Sequence, residues 1–67
     1  MTFNFYFRRY FRNVTETYQT ETLAEAIEKA RKRLWITAVD KNEDFPPLLT
    51  GKLVNTETGE TTEIESW

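Results

Sequence analysis

Sixty-seven residues with neither cysteine nor histidine allow one domain and one small core. The same absences exclude disulfides, thiol nucleophiles, the usual zinc ligand sets and histidine acid–base chemistry. The net charge of −2 argues against a general nucleic-acid binder, but it is unevenly spread: residues 1–14 and 29–33 are purely basic in their charges, and residues 15–28 and 34–67 are mainly acidic.

In chain order, the first element is residues 3–11, FNFYFRRYF, whose aromatic content reads as a strand. Alternation places Phe3, Phe5, Phe7, Arg9 and Phe11 on one face and Tyr6, Arg8, Tyr10 and Arg12 on the other. Residues 14–20, VTETYQT, read as a second strand. A tight turn at Arg12-Asn13 is expected to set Phe7 against Tyr18, Phe5 against Thr20 and Arg9 against Glu16.

Thr22 to Leu34, TLAEAIEKARKRL, is an amphipathic helix. Leu23, Ile27, Ala30 and Leu34, with Ala26 beside them, form its apolar stripe. Thr22 with Glu25 has the spacing of a capping box. The stripe is expected to lie on the Phe3/Phe5/Phe7 face. Trp35 to Val39, WITAV, reads as a strand from its β-branched and aromatic content, although no glycine separates it from the helix, which leaves a further helical turn as the alternative. Asp40–Asp44 is a polar loop, and Phe45-Pro46-Pro47 is extended. Leu48–Asn55 and Glu60–Ser66 form a hairpin around Thr56–Gly59, with the glycine suited to positive φ. The expected fold is α+β: a single α-helix on one face of a mainly antiparallel sheet of four or five strands, in the order β-β-α-β-β-β, over residues 1–67 as a single domain.

Tyr6, Arg8, Tyr10 and Arg12 are the leading candidates for a functional surface. Alternating aromatic and basic side chains on a sheet face can stack bases and hold phosphates, or anchor a protein partner. The plainer account is a solvated sheet face. The acidic closing hairpin, with Glu57, Glu60, Glu63 and Glu65, is the second candidate. Its carboxylates could dock on a basic protein surface, or simply discourage edge-to-edge aggregation. The run Lys29, Arg31, Lys32 and Arg33 reads first as a helix end complementing the dipole and second as a phosphate-binding patch. Asp40, Asn42 and Asp44 match the opening of a calcium loop, but Phe45 and Gly51 stand where that loop needs Gly and Glu, so no metal or cofactor is expected. Asn13-Val14-Thr15 fits a glycosylation sequon without a secretion signal to give it meaning. No apolar run has the length of a membrane span, and a cytoplasmic location is expected. Trp67 either folds back onto the core or anchors a partner.

The run from Tyr18 to Ala30, a strand ending in a polar step before a helix of the form L-x-E-A-I-x-K-A, is similar to a signature of small phage- and plasmid-encoded proteins. With the preceding strand and the closing hairpin, the layout resembles small anti-CRISPR proteins, in which a sheet wraps one helix. The resemblance implies a non-enzymatic protein that blocks a host nucleic-acid-handling complex by binding it, and it assigns no binding residue. The expected partner is accordingly a host protein complex. A small single-stranded nucleic-acid binder using the Tyr/Arg face is the alternative, and a homodimer is left open.

Overall fold

The computed structural model describes residues 1–9, 11–41 and 44–67. The described elements are β1 (Thr2–Arg9), β2 (Arg12–Gln19), α1 (Leu23–Lys41), β3 (Thr50–Asn55) and β4 (Thr61–Glu65). The strands form an antiparallel four-stranded sheet in the order β2-β1-β3-β4, and α1 covers one face. The expected α+β architecture with a single helix is therefore present. The fifth strand is not: Trp35–Val39 continues the helix.

The physical reason lies in the buried face of α1. Ala26, Ala30, Leu34, Thr37 and Ala38 are all buried, so the stripe recurs at helical spacing beyond Leu34. β-branched residues cost only a few tenths of a kcal/mol each in a helix, which continued burial outweighs. The stripe is also rotated from the expected one. Ile27 is half-buried and Leu23 is 38% exposed, while the three alanines face the sheet. Small residues on the helix let its backbone approach the bulky row beneath it.

That row is Phe3, Phe5 and Phe7, all buried, joined by Leu53 and Ile64 from β3 and β4. The Phe5 and Phe7 rings stack at a centroid distance of 5.1 Å. Each fully buried Phe or Leu contributes about 1.5–3 kcal/mol relative to exposure. The hairpin β1–β2 pairs Phe3 with Tyr18, Phe5 with Glu16, Phe7 with Val14 and Arg9 with Arg12. The expected register is thus displaced by four residues. Setting Phe5 against Thr20 would leave Thr2–Asn4 without partners, because the chain enters the helix just after Thr20. The observed register pairs all eight residues of each strand, and Met1 and Thr20 close it with reciprocal backbone bonds of 2.8 and 3.0 Å. The displacement is even, so the Phe row keeps its face.

Of the expected capping box one of the two bonds is present, and the closing turn takes its expected form. The Thr22 hydroxyl accepts from the Glu25 N–H at 3.2 Å, which caps α1. In the β3–β4 turn, Asn55 Oδ1 accepts from the N–H groups of Glu57 and Thr58, and Gly59 takes φ of 78°. Gly51 is required for a different reason. A Cβ there would stand 2.7 Å from the Phe5 ring and 2.9 Å from the Tyr6 carbonyl oxygen. Gly51→Ala is therefore expected to destabilise the protein by roughly 1–3 kcal/mol through overpacking, read as a lower urea midpoint at unchanged slope; an unchanged midpoint would show that the Phe5 ring is free to move aside.

Candidate functional site

Three surfaces carry functional residue types: the sheet face away from α1, the seam between β2 and α1, and the outer side of the helix. On the open face, β1 presents Asn4, Tyr6 and Arg8, and the strand pairing sets Tyr6 beside Lys52 of β3 and Lys52 beside Glu63 of β4. Tyr6, Arg8, Lys52 and Glu63 border one shallow depression of about 400 Å³. The Tyr6 hydroxyl accepts from Asn4 Nδ2 at 3.3 Å, and Asn4 Oδ1 accepts from the Thr17 hydroxyl at 3.0 Å, which links β1 to β2 across the face.

The candidates from the first strand and the closing hairpin are therefore partly merged. Tyr6, Arg8 and Glu63 share one face, with Glu65 beyond Glu63 on the same side. Arg12 does not join them. It lies on β2 opposite Arg9, in the row of the Phe side chains, because the hairpin turns two residues earlier than expected. Glu57 and Glu60 sit in the exposed β3–β4 turn, beyond the Val54–Thr61 pair and at the opposite end of the sheet from Arg8. Tyr10 lies outside the described residues, as does Asn42 of the calcium-loop match. Asp40 of that match is in the last turn of α1, bonded to Arg9 at 3.2 Å rather than in a loop. Among the described residues no group of acidic side chains is arranged to hold a metal ion.

The seam between β2 and α1 explains where two expected charges went. Arg9 does not meet Glu16. The Glu16 carboxylate instead accepts from Arg33 Nε at 2.9 Å and from the Tyr18 hydroxyl at 2.8 Å. The Arg33 guanidinium also lies 5.2 Å from the centroid of the Phe7 ring and bonds the Thr37 hydroxyl at 3.2 Å. Arg33 is thus a structural residue, and of the basic run only Lys29, Arg31 and Lys32 remain on the exposed helix surface. Burial and the Glu16 contact push the Tyr18 phenol well above its ordinary value of 10.0. Burial alone would raise the Glu16 carboxyl, but the hydrogen bonds from Arg33 and Tyr18, with the Arg33 charge, outweigh it and hold the group below 4.5.

The outer side of α1 carries the feature that sequence reasoning missed. Trp35 is 42% exposed, Phe45 81% and Trp67 64%, and the three rings line one concavity of about 450 Å³ with Pro46. Trp35 also borders a neighbouring groove of about 600 Å³ with Glu28, Lys29 and Lys32. Reading Trp35 as the start of a strand hid this grouping. As a helical residue one position past Leu34, Trp35 is carried off the buried stripe toward solvent. Trp67, singled out as either core or anchor, lies on the surface.

The chain matches no protein-family model, no curated protein and no solved structure.

A depressed carboxyl pKa contributes stability that is present above the unfolded value and lost as pH falls through the folded one. Glu16→Gln is therefore expected to lower the melting temperature near neutral pH, by an amount corresponding to on the order of 1 kcal/mol, and to flatten the loss of stability on acidification below about pH 5. Parallel acid limbs for the variant and the parent would contradict this role.

Proposed function

We propose that this chain is a non-enzymatic binding protein that acts by occupying a surface of a larger protein. The observation that carries the reading is the exposed grouping of Trp35, Phe45 and Trp67 around one concavity. Tryptophan and other aromatic anchors dominate protein–protein binding energy, and large apolar side chains grouped in the open are what such interfaces are built from. The chain also lacks the cysteine and histidine on which much nucleophilic and acid–base catalysis relies. The resemblance to small anti-CRISPR proteins supplies the partner class to test first: a nucleic-acid-handling complex in the cytoplasm of a host cell, blocked by a phage or mobile-element product.

The nucleic-acid alternative fares less well on the open sheet face. Arg8 and Lys52 there are offset by Glu63 and Glu65, and the sequence-predicted contribution of Arg12 is turned to the other side. A phosphate-tracking surface needs a net positive field. Tyr6 and Arg8 fit better as a secondary contact for a protein partner.

The test is a direct binding measurement between the purified chain and such a host complex. Trp35→Ala combined with Trp67→Ala is expected to weaken binding by about 2 kcal/mol per anchor, roughly thirtyfold in Kd each, at an unchanged melting temperature. Equal binding by the double variant and the parent, or no complex of this class bound by the parent, would overturn the reading.

A further inference from the structure

The two edges of the sheet are unequal. In β3–β4 pairing, Asn55 N–H donates to Glu60 and Ser66 N–H donates to Leu49, so the residues that turn their backbone groups outward from β4 are Thr61, Glu63 and Glu65. That edge is short, and two of its three outward residues are charged, a standard defence against strand addition. At the other edge, the reciprocal bonds of Met1 and Thr20 fix the alternation along β2. Arg12, Val14, Glu16 and Tyr18 bond β1, and Asn13, Thr15, Thr17 and Gln19 direct their N–H and C=O groups away from the sheet. None of these four is charged, and β2 contains no proline. It is an eight-residue edge without the usual protection.

Two further observations say what fits there. Phe11 is 93% exposed and borders, with Arg9, Arg12 and Val14, a concavity of about 430 Å³ beside the edge. Arg12 stands opposite Arg9, and Arg9 bonds Asp40, whereas Arg12 has no anionic partner among the described residues.

We propose that two copies of this chain pair antiparallel through β2 about a two-fold axis at Val14, forming a continuous eight-stranded sheet with both helices on the same face. In that register Val14 meets the partner's Val14, and Arg12 meets the partner's Glu16 at both ends. Asn13 and Thr15 exchange backbone hydrogen bonds with the partner's Thr15 and Asn13, using groups that β1 leaves free. Sliding the pairing by four residues would set Glu16 against the partner's Glu16, which like-charge repulsion disfavours. The symmetry is isologous, so the same patch serves both copies. The Trp35/Trp67 surface is not used, so the pairing stands apart from the proposed partner binding.

Sedimentation equilibrium from low micromolar to submillimolar concentration tests the proposal. The parent chain is expected to be a dimer. Thr15→Pro deletes an outward N–H without removing a bond to β1, and Arg12→Glu sets like charges at both ends of the pairing; each is expected to weaken dimerisation at least tenfold while the circular dichroism spectrum stays that of the parent. A parent that stays monomeric over the whole range overturns the proposal and leaves the β2 edge to a strand of another protein. A dimer that both folded variants retain at parental strength overturns it as well.

Discussion

The fold depends on one packing relation: three phenylalanines of β1 laid against a helix whose facing residues are mostly alanine. β1 is a central strand, bonded to β2 on one side and to β3 on the other, so its inward row fixes the middle of the core. The bulk is carried by the sheet and the clearance by the helix. Gly51 extends the same complementarity to β3, where a single hydrogen makes room for the Phe5 ring. In a chain of this size without disulfides, such dense packing must supply most of the stability.

The polar seam follows from that arrangement. With the helix held close, Arg33 is laid over the Phe7 ring and within reach of Glu16 on the edge strand, and Tyr18 completes the cluster. Arg9 and Asp40 tie the end of β1 to the last turn of the helix. Arg33, which looked available for a partner, is in this way taken up within the fold. What remains outside is an open sheet face of balanced charge, an unprotected β2 edge and the aromatic grouping on the outer side of α1.

Much of this was legible in the residues themselves. The alternation of Phe3, Phe5 and Phe7 placed the core on the correct face, the Thr22 cap is real, and Gly59 sits in its turn at positive φ. Tyr6 and Arg8 were assigned to the right face because period-two alternation survives an even slip in register. Arg12 was misplaced because it was counted along β1 when it already belongs to β2. The turn was set at Arg12-Asn13 on local preference, whereas the register is decided at the far end, where Thr20 must meet Met1 before the helix begins. Trp35–Val39 was misread for a similar reason. Its strand propensity is a local quantity worth tenths of a kcal/mol per residue, and the burial of Thr37 and Ala38 is a tertiary one that exceeds it. The aromatic surface was lost with that segment, since a Trp in a strand and a Trp on the back of a helix face different neighbours.

Native-state hydrogen exchange resolved residue by residue shows whether the phenylalanine row and the whole buried stripe of α1 from Ala26 to Ala38 form one cooperative core. The amides of β1 and those of α1 through Ala38 are expected to open with a common free energy equal to that of global unfolding. Amides from Trp35 to Ala38 that exchange far faster than those of Phe5 and Leu34 would contradict it.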